Sequence, residues 1–136
     1  MSLKDKCPVL YFKDLGDEEG KLVVIEGGQD IPFEVKRVFY IYGTSNNKIR
    51  GQHANRNSEF VLINVAGSSK VRITDGDEEF IVELNKPMMG VYIPKMVWKD
   101  MYSFSNDSVL LVLASTHYDG NEYIRDFNDY LKEIHR

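Results

Sequence analysis

The sequence predicts a mostly β fold, a sandwich or barrel of short strands with one α-helix at the C-terminus. Short runs rich in β-branched and aromatic residues recur between turn signals along most of the chain. Only the final segment, 121–136, has apolar residues at helical spacing. With 136 residues, the chain fits one domain, 1–136, which is large enough to bury a core and too short to divide in two.

The predicted strands differ in whether one face or both faces are buried. In "EFIVEL", Phe80, Val82 and Leu84 alternate with other residues, which is typical of a strand with one buried face. "VLLVLA" is apolar throughout, as expected for a strand that is covered on both faces. We expect strands in "PVLYF", "KLVVIE", "KRVFYIYG", "RGQHAN", "FVLINV", "KVRI", "EFIVEL", "GVYI", "MYSFS" and "VLLVLAS".

The clearest turn signal lies in "TDGDEE", between "KVRI" and "EFIVEL". Its dipeptide Asp75-Gly76 suits a type I′ turn, in which both central residues take positive φ. The two runs are therefore predicted to form a β-hairpin.

The segment "NEYIRDFNDYLKEIHR" predicts an amphipathic helix. Its apolar residues recur at steps of three and four, at Tyr123, Phe127, Tyr130 or Leu131, and Ile134. We expect about three to four turns, with the apolar stripe docked on the outside of the sheet.

Composition excludes several function classes. The net charge is −4 and the basic residues are scattered, which argues against a nucleic-acid surface. Cys7 is the only cysteine, so the chain has no internal disulfide and no thiolate set for zinc, and a cytoplasmic setting is the default. The start of the sequence lacks the apolar region of a signal peptide, and no apolar stretch has the length of a membrane span.

A polar set stands out in "RGQHANRNSEF", beside the apolar run "FVLINV". Residues 53 and 55 of one strand face the same side, as they do in His-x-His followed by Glu, the metal-binding pattern of cupin barrels. Here His53 is followed by Asn55 and Glu59, and one imidazole with one carboxylate gives too few ligands. The pattern predicts a site without metal, although a lone histidine on a strand is also commonly an ordinary half-buried residue.

Longer segments carry a resemblance to a known family. "IPFEVKRVFYIYG", "RGQHANRNSEFVL", "GSSKVRITDG", "LNKPMMGVYIPKMVWKDMYSFSNDSVLLVLAS" and "HYDGNEYIRDFNDYL" together resemble the sugar 3,4-ketoisomerases of the cupin superfamily, the WxcM-like group, from about Val9 to Leu131. The resemblance implies a jelly-roll (double-stranded β-helix) barrel that acts on dTDP-4-keto-6-deoxyglucose, on the way to dTDP-linked amino sugars of surface polysaccharides such as lipopolysaccharide. It also implies that no metal or cofactor is used, and that the protein is a homodimer that exchanges N-terminal strands.

The family uses two histidines in "RG-x-H-A-H", and here Asn55 stands in the second position. Histidine suits the reaction because a base with a pKa near neutrality can remove the C3 proton and return it to C4. The amide of Asn55 can position a sugar but cannot transfer a proton. Three explanations are open: an engineered His→Asn variant, a natural relative in which His53 acts alone, or a non-catalytic sugar-nucleotide binder.

The resemblance also indicates substrate-binding residues. Arg37 and Arg50 are candidates for the diphosphate because a guanidinium makes bidentate contacts to phosphate oxygens, although each could instead form a surface salt bridge. The position of Arg50 beside the site motif favours the phosphate contact. Glu59 could fix the tautomer of an imidazole. Candidates for contact with the thymine or the sugar, some of which could instead be packing residues, are Tyr40, Tyr42, Tyr92, Trp98 and Lys99.

Two rival functions remain. A sugar-nucleotide 3,5-epimerase would share the barrel and the substrate type, but it needs a His-Asp pair with a tyrosine acid. A binding protein would keep the pocket and lose the chemistry. The sequence does not indicate the configuration of the product at C4.

Overall fold

The computed structural model describes residues 1–135 and consists of two five-stranded antiparallel sheets that face each other. The elements in chain order are α1 (Leu3–Lys6), β1 (Val9–Tyr11), β2 (Arg37–Tyr42), β3 (Arg50–Asn55), β4 (Phe60–Ala66), β5 (Ser69–Thr74), β6 (Glu79–Leu84), β7 (Met89–Ile93), β8 (Trp98–Tyr102), β9 (Val109–Ala114), a 3₁₀ turn (Gly120–Glu122), β10 (Tyr123–Ile124) and α2 (Phe127–Ile134). The predicted mostly β class with a C-terminal helix is confirmed.

The first sheet has the order β1-β7-β4-β9-β2, and the second has the order β10-β3-β8-β5-β6. The inner faces of both sheets bury the main core, which includes Phe60, Leu62, Ile73, Leu84 and Phe104. The predicted alternation in β6 is confirmed, because Val82 and Leu84 are buried while the intervening side chains are exposed. Strand β9 is covered on both sides, as its apolar sequence predicts.

The irregular segment 12–35 covers the outer face of the first sheet. Phe12, Ile31 and Phe33 pack there against Val61 and Leu113. The expected strand in "KLVVIE" is wrong, because Val23 forms only an isolated bridge to Asp14. Its apolar side chains instead help this segment to cover the sheet.

The hairpin between β5 and β6 is confirmed, with Thr74 opposite Glu79. The expected type I′ turn is wrong, because Gly76 has a φ of 94° whereas Asp75 is not in the positive-φ region. The Asp75 side chain instead accepts hydrogen bonds from the backbone amides of Asp77 and Glu78. The connection therefore has four residues and is organised by an aspartate side chain.

The C-terminal helix is shorter than expected. It is capped by Asp126, whose side chain accepts a hydrogen bond from the Asp129 amide, so the helix begins at Phe127. Tyr123 lies in β10 and pairs with β3 instead of continuing the helix. The expected docking on the outside of a sheet is confirmed, since the fully buried Tyr130 packs against Ala54 and Trp98. A short helix at the N-terminus, α1, was not expected from the sequence.

Candidate active site

A cavity of about 350 Å³ opens on the inner side of β3 and β8. Its volume lies within the usual range for small-molecule sites. The polar or charged side chains on its wall are Arg50, His53, Lys99, Tyr123 and Arg125, and the apolar ones include Phe39, Ile41 and Phe60. The structure thus gathers His53, Lys99 and Arg50 from the predicted set at one cavity.

A bulge in β3 sets the direction of His53. Gly51 and Gln52 have positive φ values of 81° and 57°, and the register with β8 shifts between Gly51 and His53. His53 then lies directly opposite Lys99. Ala54 faces the other way and packs under α2, so His53 and Asn55 share the inner side as the spacing predicts.

His53 is held as a neutral imidazole. Burial lowers its pKa to about 3, and the positive charge of Lys99 contributes in the same direction. Its Nδ1 atom is buried and makes no hydrogen bond with any atom of residues 1–135. The ring makes an edge contact with Tyr123, with centroids 4.8 Å apart. A neutral imidazole can accept a proton, which is what a base requires.

Asn55 is anchored by a buried carboxylate. Its Nδ2 donates a hydrogen bond to Oε2 of Glu122. Glu122 also accepts hydrogen bonds from the Ser58 hydroxyl and from the backbone amides of Asn57 and Ser58. Burial acts to raise the pKa of Glu122, but these hydrogen bonds outweigh it and lower the pKa below its usual value. Glu122 therefore remains an anion that fixes the orientation of the Asn55 amide.

Lys99 is almost completely buried, with 2% of its surface exposed. Its Nζ lies 4.2 Å from the ring centroid of Phe60 and has no hydrogen-bond partner within residues 1–135. Burial lowers the pKa of Lys99 to about 7; Glu122 opposes this shift and Arg37 adds to it. This ammonium group is thus poised to lose its proton near neutral pH.

Arg37 adjoins the cavity from β2. Its guanidinium stacks on Phe60 and Phe39, and its Nη1 donates a 3.3 Å hydrogen bond to the hydroxyl of Tyr123. Nε and Nη2 are buried and have no partner in the part of the chain that the structure describes. Together with Lys99, Arg50 and Arg125, Arg37 makes this end of the barrel strongly cationic.

Five of the predicted binding residues lie elsewhere. Trp98 is on the outer face of β8 and stacks edge-on against Phe127, with centroids 5.1 Å apart. Tyr40 and Tyr42 are 61% and 70% exposed on the outside of β2. Tyr92 donates a 2.6 Å hydrogen bond to Glu59 and packs against the cluster under segment 12–35. None of these five side chains lines the cavity beside His53.

Three residues of the site were missed by sequence reasoning, namely Glu122, Tyr123 and Arg125. The spacing of the apolar stripe predicts Tyr123 in the helix, whereas the structure places it in β10. The available signal was Asp126, a capping residue that starts the helix later and leaves 123–124 free to pair with β3.

A second cavity of about 740 Å³ lies on the outer side of the second sheet, between β8 and the start of α2. Arg72 on its wall is already paired with Asp100, at 2.8 Å. Within residues 1–135, no group of three His, Cys, Asp or Glu side chains is arranged to hold a metal ion. The helices of this part of the chain are also too short or too polar to cross a membrane.

Comparison with known proteins identifies the family. The sequence profile described as "FdtA: WxcM-like, C-terminal" matches residues 5–135. The chain belongs to this family. The resemblance in the sequence is therefore confirmed.

Individual relatives are similar over almost their whole length. The TDP-4-oxo-6-deoxy-alpha-D-glucose-3,4-oxoisomerase of Aneurinibacillus thermoaerophilus is 41% identical over 93% of this chain and 91% of its own. A histidine-to-asparagine mutant of the 3,4-ketoisomerase QdtA from Thermoanaerobacterium thermosaccharolyticum, solved with TDP-4-keto-6-deoxyglucose, is 42% identical. It superposes with a TM-score of 0.93 over 98% of this chain and 96% of its own.

The epimerases are more distant. The dTDP-4-dehydrorhamnose 3,5-epimerase of Bacillus anthracis is 12% identical and has a TM-score of 0.77 over 90% of this chain and 79% of its own. A likeness of this degree shows a common fold. The epimerase alternative gains no support beyond the shared fold. The expected cupin barrel is confirmed by the ketoisomerase structures, which superpose on this chain with a TM-score of 0.93.

Proposed function

We propose that this protein is a dTDP-4-keto-6-deoxyglucose 3,4-ketoisomerase, which moves the keto group from C4 to C3 by acid/base proton transfer through an enediol. The observation that carries the proposal is the neutral imidazole of His53 on the wall of a cationic cavity, in a chain of this family. His53 takes the proton from C3, which the neighbouring ketone acidifies, and returns it to C4.

The charge of the cavity fits a sugar nucleotide. Arg37, Lys99 and Arg125 surround His53, and each lowers its pKa. A bound diphosphate would offset these positive charges and raise the pKa of His53 toward the range in which imidazole is an effective base. Arg50, exposed at the edge of the same cavity, is placed to contact the phosphate oxygens. The free protein thus keeps the base neutral, and the substrate itself completes its activation.

Asn55 has an orienting role in this proposal. Glu122 holds the amide nitrogen of Asn55, so the amide oxygen is left on the side away from Glu122, buried and without a partner within residues 1–135. That oxygen can accept a hydrogen bond from His53 or from a sugar hydroxyl. Asn55 thereby helps to select the imidazole tautomer or the sugar orientation while His53 moves the proton.

The wider setting follows from the same assignment. We propose a cytoplasmic, metal-independent homodimer that exchanges N-terminal strands and supplies a dTDP-3-keto sugar for amino-sugar synthesis in surface polysaccharides. Five predicted binding residues lie outside the His53 cavity, namely Glu59, Tyr92, Tyr40, Tyr42 and Trp98. They can contact the nucleotide only if the nucleotide extends beyond this cavity.

Proton NMR of dTDP-4-keto-6-deoxyglucose in D₂O tests the proposal directly. We expect this protein to convert the sugar and to exchange the C3 proton, and His53→Asn to abolish both. Asn55→His is the matched variant that restores the two-histidine motif. A much faster Asn55→His protein would mean that the parent is an impaired isomerase.

A thermal-shift titration with dTDP separates binding from turnover, because a ligand that binds the folded state raises its melting temperature. Stabilisation by dTDP without conversion of the sugar by the parent or by Asn55→His would favour a non-catalytic binding protein. If dTDP does not stabilise the protein and the sugar is not converted, the proposed sugar-nucleotide function is wrong.

A further inference from the structure

Lys99 is a buried cation with no assigned partner. It extends from β8 into the barrel, directly opposite His53 on β3, and lines the same 350 Å³ cavity. Its Nζ rests against the Phe60 ring and forms no hydrogen bond with residues 1–135. Burying an unpaired ammonium group costs free energy, so we expect the lysine at this position to have a function.

The charged and titratable groups around Lys99 come from each neighbouring element. They are His53 and Arg50 on β3, Arg37 on β2, Glu122 in the 3₁₀ turn, and Tyr123 with Arg125 at β10. Glu122 is the carboxylate whose field favours the ammonium form of Lys99. The oxygens of Glu122, however, accept hydrogen bonds from Asn55, Asn57 and Ser58. Lys99 is therefore left free to bond a ligand inside the cavity.

The ketoisomerase reaction requires two proton transfers, and a single imidazole is poorly suited to carry out both. The carbon-bound proton moves from C3 to C4, and the hydroxyl proton moves from O3 to O4. An amide cannot carry the second transfer, so Asn55 is excluded from it. Lys99 supplies an amine on the wall of the cavity for this second transfer. Its pKa of about 7 allows it both to give and to take a proton near neutral pH.

We propose that Lys99 is a second catalytic residue, which exchanges protons with O3 and O4 of the sugar while His53 moves the proton between C3 and C4. This inference rests on the proposed 3,4-ketoisomerase function. The two residues are cross-strand neighbours on the paired strands β3 and β8 and line the same cavity, so one bound sugar ring can contact both.

The two steps balance. In the first, the C3–H bond breaks and its proton goes to His53, while the Lys99 ammonium donates a proton to O4, giving a neutral enediol. In the second, the Lys99 amine takes the O3 proton as the C3 carbonyl forms, and the imidazolium of His53 returns its proton to C4. Both side chains end in their starting protonation states, and no oxidant or reductant is required.

The test compares Lys99→Arg and Lys99→Met with the parent. Arginine keeps the positive charge but cannot lose a proton in this pH range, whereas methionine keeps the length and removes the charge. We expect kcat to fall by about 10²–10⁴-fold in both variants, the usual effect of losing one acid/base group. Lys99→Arg should still be stabilised by dTDP in a thermal-shift titration.

The pH dependence of kcat/KM is the readout that a purely structural role would not move. The parent should show a limb near pH 7 that belongs to Lys99, and this limb should be absent from the residual activity of both variants. A kcat within threefold of the parent in either variant, or an unchanged limb, would overturn the inference while the proposed function stands. A parent that does not convert the sugar, beside an Asn55→His variant that does, would overturn this inference alone. Failure of both proteins to convert the sugar would overturn the proposed function and this inference together.

Discussion

At the scale of single residues, Lys99 is placed for chemistry at the expense of stability. Its pKa is lowered from 10.5 to about 7 in the folded protein. Between these values the unfolded chain binds more protons than the folded chain, so the free energy of unfolding should rise as pH increases from 7 to 10.5. In Lys99→Met this rise should be lost, and the variant should be more stable at pH 7, by about 1–4 kcal/mol. Urea unfolding at pH 7 and 9.5 measures both effects.

The matched control for this prediction is Lys95→Met, which removes the same charge from an exposed position. This control should retain the pH dependence of the parent and differ from it by less than about 0.5 kcal/mol. A Lys99→Met protein that is less stable than the parent at pH 7 would contradict the assignment of Lys99 as an uncompensated cation.

The contribution of Glu122 to the stability of the fold depends on its negative charge. Its carboxylate accepts hydrogen bonds from the Asn55 amide, the Ser58 hydroxyl and two backbone amides. Each oxygen accepts from two of these donors, so the NH₂ group of Glu122→Gln would face two donors and leave buried polar groups unpaired. We expect a loss of about 1–3 kcal/mol in the free energy of unfolding. Urea unfolding at pH 7 tests this, with the exposed Glu34→Gln as a control that should be nearly neutral.

At the scale of elements, the bulge in β3 is what aims His53. A Cβ at Gly51 would lie 2.8 Å from Sδ of Met101 and 3.1 Å from the Lys99 carbonyl oxygen, at a φ of 81°. Gly51→Ala should therefore shift β3 against β8, which would lower the melting temperature and reduce kcat at least tenfold. The expected cause is the changed position of His53 relative to Lys99.

Gly43→Ala separates this effect from backbone strain alone. Gly43 also has a positive φ, 71°, but a Cβ there would meet no atom within 4 Å. This variant should lose about 1 kcal/mol of stability from the left-handed conformation and keep its kcat. Equal losses of activity in the two variants would show that the register between β3 and β8 does not control the site.

The elements that sequence reasoning predicts well are those governed by local pattern. Alternation in β6 and continuous apolar character in β9 determine their burial, and both expectations are confirmed. The pattern fails for "KLVVIE", whose apolar side chains bury against a sheet without pairing. It also fails for Tyr123, because pairing with β3 competes with helix formation and Asp126 caps the helix later.

The site residues also divide into those that a local sequence pattern predicts and those that it does not. Spacing places His53 and Asn55 on one face, since this depends only on the geometry of a strand. The contact between Asn55 and Glu122 joins residues 67 positions apart, and no local pattern in the chain signals it. Trp98 and Lys99 are neighbours on β8 and point to opposite faces, so only Lys99 reaches the His53 cavity.

At the scale of the whole molecule, the proposed homodimer needs an apolar surface. The outer side of β2, an edge strand, carries Val38, Tyr40 and Tyr42, which are 56%, 61% and 70% exposed. We expect this row to be covered by a second copy, because contiguous exposed apolar patches commonly mark interfaces. Sedimentation equilibrium should give twice the chain mass of 15.7 kDa, and Tyr40→Asp should shift the protein toward monomer. Ile81→Asp, at a 54% exposed site on the other sheet, should leave the dimer intact; equal effects would place the interface elsewhere.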